Sequence, residues 1–260
     1  MTAEKKVAIS IRDLEKFFGE RKVLDNINFD INKGEIFVIM GGSGSGKSTL
    51  LRIMTGGVKP SRGKVLFGDK DIHTLEGIEA EKVKRRFGMS FQSAALLDFL
   101  TVEENVSLPL REHTHLDPKV VSIIAKMKLN LVGLQGFENY YPSMISGGMK
   151  KRVGVARAIV MDPEVVFYDE PTAGLDPVVC AVVDQLILDL TKKLNLTSIV
   201  VTHNMESVWR IADRVAMVYR GKLIEVGTRD QIRHSQNKII QQFVNGEIEG
   251  PIHLNDNNPD

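Results

Sequence analysis

A glycine-rich loop between an apolar run and a helix-compatible segment constrains this sequence most strongly. The loop, Gly41-Gly42-Ser43-Gly44-Ser45-Gly46-Lys47-Ser48-Thr49, follows residues 36–40 and precedes residues 50–55. Glycines let backbone N–H groups curl around phosphate oxygens, and the helix that follows directs its positive dipole end at the same anion. The order of strand, loop and helix therefore predicts a phosphate-binding loop in an α/β domain.

Two side chains of the loop carry specific chemistry. Lys47 is placed to reach the terminal phosphates of a nucleotide, and the Ser48 hydroxyl is placed to bind Mg2+. A glycine-rich turn that matches the pattern by chance is the alternative. It is disfavoured because the flanking strand and helix are those that the motif requires.

Composition excludes several classes of function. The net charge of +1 over 260 residues gives no bulk reason to expect nucleic acid as a partner. Cys180 is the only cysteine, so no intrachain disulfide can form, and together with the absence of a signal-peptide pattern this indicates a reducing cytoplasm. No apolar run approaches the roughly 18 residues of a membrane span. A function at a membrane would therefore need a partner that crosses it.

Short β-rich runs alternate with longer helix-compatible stretches, which predicts a mostly parallel sheet covered on both faces. The runs are Glu35–Met40, Arg86–Phe91, Val165–Tyr168, Ser198–Thr202 and Arg214–Val218. Before the loop, residues 7–14 and 22–31 are predicted strands around a turn at Gly19-Glu20. After the loop, residues 63–68 are a further predicted short strand. We expect these to form a small antiparallel layer beside the main sheet.

The rest of the chain predicts a helical insertion and a polar end. Residues 93–145 are expected to form an inserted helical subdomain. Three prolines interrupt its segments: Pro109, Pro118 and Pro142. Residues 228–245 predict one polar, amphipathic helix, and residues 246–260 are acidic, asparagine-rich and poor in apolar side chains, as is typical of disorder. We therefore expect one domain over residues 1–245, followed by a C-terminal tail.

Two carboxylates, Asp169 and Glu170, come directly after the apolar run 165–168. In an open α/β sheet, ligands bind at the carboxyl ends of the strands. Asp169 is suited to hold Mg2+, directly or through water, and Glu170 to orient or deprotonate the water that attacks a γ-phosphate. A strand that ends in a solvated acidic turn is the alternative, and downstream of a phosphate-binding loop it is disfavoured.

The segment Ser146-Gly147-Gly148 precedes residues 150–160, whose apolar positions follow helical spacing. Ser146 is a candidate helix cap. Lys150-Lys151-Arg152 then place three positive charges at the positive end of the helix, which costs about 0.3–1 kcal/mol for each exposed charge. A bound triphosphate nearby would offset this cost, and a solvated basic face is the alternative.

Together with the run Asp169-Glu170-Pro171-Thr172-Ala173-Gly174-Leu175-Asp176-Pro177, these motifs resemble the ATPase subunits of ABC transporters over nearly the whole chain. In that family the Ser-Gly-Gly segment of one subunit closes over the ATP held by the phosphate-binding loop of the other. One copy of each motif therefore implies a head-to-tail homodimer with two sites for ATP and Mg2+. The residues that would act in trans are Ser146, Gly147, Gly148 and Asp176.

The resemblance assigns further positions. Phe18 resembles the aromatic residue that stacks on adenine, although the adjacent Phe17 could hold that role and both could be core residues at a strand end. Gln92 resembles the glutamine that reaches Mg2+ and the attacking water and reports the nucleotide state to the transmembrane partner. Asp176 matches the aspartate that contacts the opposite subunit, and His203 the histidine that contacts the γ-phosphate.

Several short segments resemble the Mla-type ATPases, which power phospholipid transport with MCE-domain proteins. These are the Ser-Gly-Gly-Met form ending at Met149, residues 93–97, residues 101–106, and residues 243–246 followed by Gly250-Pro251-Ile252. The resemblance implies a complex on the cytoplasmic face of the bacterial inner membrane. It would contain two copies of this chain, two integral membrane permease subunits, a periplasmic MCE-domain ring and a cytoplasmic STAS-domain protein.

Two surfaces are candidates for contacts with these partners. One would receive a permease helix, or would instead fill the core of the helical subdomain, and consists of Leu96, Leu97, Phe99 and Leu100. The other would dock on the second ATPase subunit, or would be disordered, and consists of Pro251, Ile252 and Leu254.

Three other functions are alternatives to phospholipid transport. A GTP-dependent switch is disfavoured because Asn32-Lys33 and Asn237-Lys238 both lack the aspartate of a guanine-binding Asn-Lys-x-Asp motif. ABC ATPases that act on nucleic acid or ribosomes usually carry two ATPase units or long coiled-coil arms, and this short, nearly neutral chain has neither. A transporter for amino acids or another small solute stays open.

Overall fold

The computed structural model describes residues 6–253. Its ten strands within that range are β1 (Val7–Phe18), β2 (Arg21–Asn32), β3 (Ile36–Met40), β4 (Arg62–Phe67), β5 (Lys70–Asp71), β6 (Phe87–Ser90), β7 (Val165–Asp169), β8 (Thr197–Thr202), β9 (Arg214–Tyr219) and β10 (Lys222–Thr228). Its nine α-helices within the same range are α1 (Lys47–Met54), α2 (Gly77–Lys84), α3 (Val102–His113), α4 (Pro118–Leu131), α5 (Gly147–Ala158), α6 (Pro177–Lys193), α7 (Met205–Ile211), α8 (Arg229–Arg233) and α9 (Lys238–Asn245). A 3-10 helix covers Pro142–Met144.

The chain divides into two compact units. The described part of the first unit comprises residues 6–75 and 201–253, and the second unit comprises residues 76–200. Every strand predicted from the sequence is present within a few residues of its expected bounds, so the α/β fold class is confirmed.

The first unit contains the predicted antiparallel layer, with strand order β2-β1-β4-β5. β1 and β2 pair across the turn at Gly19-Glu20, with Ile9 opposite Ile31. The same unit carries the strand order β10-β9-β3, in which β3 runs parallel to β9. All five residues of β3 are buried, as expected for a parallel strand covered on both faces.

The second unit places β6 parallel to β7, with Phe87 opposite Val165, and β7 next to β8. Helix α3 packs against α4 and α5. The prediction that Pro109 interrupts a helix was wrong, because Pro109 lies inside α3. Burial of Val106 and Leu110 on either side of the proline stabilises the helix and outweighs the one lost backbone hydrogen bond.

The prediction of one helix over residues 228–245 was also wrong. Residue Thr228 ends β10, a strand the sequence did not reveal, and its side chain caps α8 in a reciprocal arrangement with Gln231. A second cap, Asn237, starts α9 after a break at residues 234–237. The second of these caps, Asn237, therefore divides the periodic stretch into two short helices.

The beginning of the C-terminal tail is ordered around one buried side chain. The Gln242 amide donates to the carbonyl of Ile252 at 3.0 Å and to that of Glu247 at 3.3 Å, and its oxygen accepts from the Ile252 N–H at 2.6 Å. The disorder expected from composition therefore does not hold for residues 247–252. Leu254 lies outside the described residues. No helix within residues 6–253 is both long and apolar enough to cross a bilayer.

Candidate active site

The phosphate-binding loop connects β3 to α1 in the first unit, as predicted. Gly46, the residue before α1, has φ +102°, and a Cβ atom there would lie 2.8 Å from Leu24 Cδ2. Glycine is therefore required both by the backbone and by the packing. No side chain caps α1. The N–H groups of its first turn have no partner within the helix, and a helix terminus of this kind is suited to an anion.

Polar groups inside the loop are arranged for a charged ligand. The Lys47 ammonium is buried and donates to the carbonyls of Gly41 at 2.7 Å and Gly42 at 2.8 Å, so it lies across the loop. The Ser45 hydroxyl is buried and has no hydrogen-bond partner among the described residues. An unpaired buried hydroxyl costs about 1–3 kcal/mol, which a ligand oxygen would offset. Ser48 is exposed on the first turn of α1.

A cavity of about 300 Å3 adjoins the loop within the first unit. Its walls are Phe18, Arg21, Val23 and residues 44–49. The Phe18 ring is 52% exposed, and the ammonium of Lys16 lies 4.8 Å from its centroid. Phe17 is not among the lining residues. The cavity therefore combines an aromatic ring, on which a nucleotide base can stack, with a loop suited to phosphate groups.

The two carboxylates lie in the second unit at the carboxyl end of β7. Asp169 is half-buried, and Glu170 is 9% exposed. Glu170 has φ +46°, a left-handed conformation that is rare for a residue with a side chain. Such a backbone costs about 1–3 kcal/mol and persists only where the surrounding structure holds it.

Lys151 of α5 holds both the Glu170 backbone and the loop after β6. Its ammonium is buried and donates to the carbonyl of Gln92 and, at 3.1 Å, to that of Glu170. Burial lowers the pKa of Lys151, against the opposing effect of the Glu170 and Asp169 carboxylates. The Gln92 side chain is exposed. One cation thus joins the two segments that were predicted to position the attacking water.

The interpretation of residues 150–152 as a basic cluster offset by triphosphate was wrong for two of its members. Lys151 binds the carbonyls just described, and Arg152 donates to those of Val132 at 3.2 Å and Gly133 at 3.1 Å. Their charges are therefore offset by backbone carbonyls of the same unit.

Ser146 caps α5, as predicted, by accepting a hydrogen bond of 3.3 Å from the Met149 N–H. Gly148 is packed so closely against Val179 that a Cβ atom would lie 2.6 Å from Val179 Cγ1. Asp176 caps the neighbouring helix α6 and accepts from the N–H groups of Val178 and Val179. The structure therefore brings the Ser-Gly-Gly segment together with the turn that starts α6.

His203 lies directly after β8 in the first unit, with its side chain exposed. The next residue, Asn204, caps α7 by accepting from the Ser207 N–H at 3.2 Å. The position of His203 at the carboxyl end of a buried strand is the one expected for a ligand contact.

A family model described as ABC transporter matches residues 24–173, more than half of the chain. The matched range contains both the phosphate-binding loop and the Asp169-Glu170 pair. The chain belongs to the ABC transporter family. As a cassette of that family it is an ATPase, the activity predicted from its motifs.

Full-length relatives and solved cassettes agree with this assignment. MlaF of Haemophilus influenzae, an intermembrane phospholipid transport system ATP-binding protein, is 43% identical over 94% of this chain and 92% of its own length. The probable ribonucleotide transport ATP-binding protein mkl of Mycobacterium leprae is 38% identical over 96% of this chain and 72% of its own. An ATP-binding cassette solved as a dimer with ADP and Pi superposes with a TM-score of 0.77 at 31% identity, over 85% of this chain and 98% of that one.

Sequence reasoning missed several residues of this ABC ATPase. Arg21 and Val23 line the cavity beside the phosphate-binding loop, and a basic residue so soon after Phe18 was the available signal for Arg21. The contacts of Lys151 could not be recognised from any pattern in the sequence. Its partners are backbone carbonyls, which every residue has, and they lie far away in the chain.

Proposed function

We propose that this ABC ATPase powers phospholipid transport between the inner and outer membranes of a bacterium. The observation that carries the proposal is the similarity to MlaF of Haemophilus influenzae across almost the whole of both chains. Ribonucleotide transport is the second candidate, because the mkl protein of Mycobacterium leprae is also similar over nearly all of this chain. MlaF is favoured since it is more similar and is matched over more of its own length.

In the proposed site, Phe18 stacks on adenine, while the phosphate-binding loop and Lys47 hold the phosphates. The cavity supports this assignment because Phe18 lines it and Phe17 does not. The Lys47 ammonium would exchange its carbonyl contacts for phosphate oxygens. The Ser45 hydroxyl would gain the partner that it lacks among the described residues.

Mg2+ is the proposed metal, because the Ser48 hydroxyl, the Gln92 amide and the Asp169 carboxylate each offer the kind of oxygen ligand that it prefers. When bound, Mg2+ neutralises part of the phosphate charge. Glu170 orients the attacking water and accepts its proton, and His203 contacts the γ-phosphate. Positioning and electrostatic stabilisation account for most of the catalysis of phosphoryl transfer, so the backbone that holds these side chains matters as much as the side chains.

We further propose a head-to-tail dimer that binds two ATP molecules between its subunits. Residues 146–148 and Asp176 of each chain would face the nucleotide held by the other. The solved cassette with ADP and Pi is itself dimeric, which supports this assembly. The dimer would lie on the cytoplasmic face of the inner membrane, attached to two permease subunits, with an MCE-domain ring and a STAS-domain protein as further partners.

The proposed surface for a permease helix is the segment 96–100. Phe99 is 76% exposed, while Leu96, Leu97 and Leu100 are half-buried. The fully buried Asn105 fixes the segment, since its side chain binds the N–H of Leu97 and the carbonyls of Leu97 and Leu100. A rigid backbone that presents an exposed phenylalanine suits an apolar partner helix.

For the tail, we propose that Pro251 and Ile252 contact the second ATPase subunit. Pro251 is exposed and Ile252 is held in place by Gln242. Deleting residues 250–260 should weaken dimerisation, as measured by sedimentation velocity. Unchanged dimerisation and unchanged ATPase activity would refute this contact.

Purification of the tagged chain from native membranes tests the cargo. We expect mass spectrometry to find a permease, an MCE-domain protein and bound phospholipid, none of which an untagged control preparation should contain. Recovery of a solute-binding protein without an MCE-domain partner would contradict the proposal. A bound ribonucleotide other than ATP or ADP would favour the second candidate.

A further inference from the structure

We propose that Lys151 is a positioning residue for ATP hydrolysis, which fixes the backbones of Gln92 and Glu170 against helix α5. The inference rests on the roles proposed above for those two residues. Lys151 itself is proposed to touch neither ATP nor the attacking water. It acts by setting the direction in which the two side chains leave the backbone.

Lys151 contacts the segment of Gln92 and the segment of Glu170, the two that are proposed to position water, and so links them. Its ammonium donates to the carbonyl of Gln92 and to that of Glu170, at 3.1 Å in the second case. Hydrogen bonds from a charged donor are about twice as strong as those between neutral groups. The residue is only 8% exposed, so water competes weakly for the ammonium. Fixing the Glu170 carbonyl also supports the left-handed conformation of that residue.

Two further residues on the same face of α5 hold the loop that begins at Gln92. Gly154 and Arg157 follow Lys151 at intervals of three residues, which places all three on one side of the helix. A Cβ atom on Gly154 would lie 3.3 Å from that of Ala94, and Arg157 donates to the carbonyls of Ala94 and Ala95.

Ala94 and Ala95 have φ of +59° and +46°, so this loop, like Glu170, is held in a conformation that its own residues disfavour. The helix that supplies the support begins immediately after Ser146. Engagement of residues 146–148 with the nucleotide of a second subunit would therefore act on the same rigid element that positions Gln92 and Glu170. Lys151 is the residue of α5 that contacts both Gln92 and Glu170.

Arg152 provides a matched control for Lys151. It is the next residue of the same helix, it is also cationic, and it also donates to two backbone carbonyls, those of Val132 and Gly133. Those carbonyls belong to no proposed site residue. Replacing either cation by methionine removes one charge and two hydrogen bonds to carbonyls and retains a long apolar side chain. The two variants therefore show whether loss of the donor to Gln92 and Glu170 has an effect that loss of a donor elsewhere on α5 does not.

The test measures kcat, KM and the equilibrium Kd for ATP on full-length Lys151→Met, Lys151→Arg and Arg152→Met chains. We expect Lys151→Met to lower kcat about 10- to 100-fold, the effect of misplacing catalytic groups, while Kd changes less than about threefold. Lys151→Arg keeps a charged donor and should restore kcat to within about fivefold of the original chain. Arg152→Met should lower the thermal unfolding midpoint about as much as Lys151→Met and leave kcat within about threefold.

The inference is overturned if Lys151→Met retains its kcat, or if Arg152→Met loses as much kcat as Lys151→Met. If Lys151→Met does not fold, Lys151→Gln replaces it, because glutamine keeps a donor with a shorter reach, and the same loss of kcat at constant Kd is required. A parallel Glu170→Gln chain distinguishes failure of the role of Lys151 from failure of the proposed ATPase site. If that chain turns over normally, the proposed site is wrong; if it is inactive while Lys151→Met is active, only the role of Lys151 fails.

Discussion

The phosphate-binding loop and the segments at Gln92 and Glu170 obtain their geometry in different ways. Residues 41–49 are continuous, and the Lys47 ammonium binds carbonyls only five and six residues away. Left-handed conformations in that loop fall on glycines. Gln92 and Glu170 instead belong to separate segments, whose left-handed residues carry side chains and are held by cations of a distant helix. The geometry proposed for nucleotide binding is thus encoded locally, whereas the geometry proposed for positioning water depends on tertiary contacts.

The largest effect is expected at Glu170, where a substitution should impair ATP hydrolysis and leave ATP binding intact. Glu170→Gln should lower kcat about 100- to 10,000-fold, because the amide cannot accept the proton of the attacking water. ATP binding should persist, since the phosphate-binding loop is unchanged. Steady-state ATPase assays and equilibrium dialysis measure the two quantities.

Glu164→Gln is the matched control for Glu170→Gln. Glu164 precedes β7, whereas Glu170 follows it, and its carboxylate forms an exposed ion pair with Arg86. Turnover should therefore stay close to that of the unmodified chain. Near-normal turnover of Glu170→Gln would remove Glu170 from the mechanism.

Within the phosphate-binding loop, Gly46→Ala tests whether the local backbone is decisive. Alanine at φ +102°, with its Cβ against Leu24, should lower the free energy of unfolding by about 1–3 kcal/mol and weaken ATP binding. Gly42→Ala is the control, since no atom lies within 4 Å of a Cβ atom at that position. Gly42→Ala should change the free energy of unfolding by no more than about 0.5 kcal/mol. Urea unfolding measures the free energy of unfolding of both variants. Equal losses for Gly46→Ala and Gly42→Ala would contradict the view that local backbone geometry determines the loop.

A smaller effect is expected at the nucleotide base. Phe18→Ala should raise the Kd for ATP about tenfold, because a stacked aromatic ring contributes roughly 0.5–1.5 kcal/mol beyond the area it buries. Phe17→Ala should change the Kd much less, since Phe17 does not line the cavity. Titration with a fluorescent ATP analogue measures both constants, and a larger effect at Phe17 would transfer the stacking role to that residue.

The smallest effect concerns Asp176, which caps α6 within its own chain and is also proposed to act in trans. Asp176→Ala should lower the free energy of unfolding by about 1 kcal/mol, the typical value of a helix cap. Asp117→Ala removes the equivalent cap of α4 and should cost about the same. Only Asp176→Ala should also weaken ATP-dependent dimerisation. If the two variants dimerise equally well with ATP, Asp176 acts only as a helix cap.

The features that could be predicted from the sequence are those encoded within a short window. Eight of the ten strands of the described residues, the phosphate-binding loop and the cap at Ser146 depend on neighbouring residues, and these were expected from hydrophobic runs, glycines and capping side chains. Pro109 was misjudged because packing on both sides of a proline is not visible in a local pattern. The partners of Lys151 could not be predicted, because a carbonyl far away in the chain carries no sequence signature.

Two copies of this chain are proposed to enclose two ATP molecules, each between the phosphate-binding loop of one copy and residues 146–148 of the other. Light scattering of the Glu170→Gln chain with excess ATP, combined with a count of bound nucleotide, tests this assembly most directly. A second substitution, Ser146→Asp, preserves the helix cap and introduces a negative charge that would repel the triphosphate in trans. We expect a dimer with one ATP per chain for Glu170→Gln, and ATP-bound monomers once Ser146→Asp is added. ATP-bound monomers in the first case, or unchanged dimers in the second, would contradict this assembly.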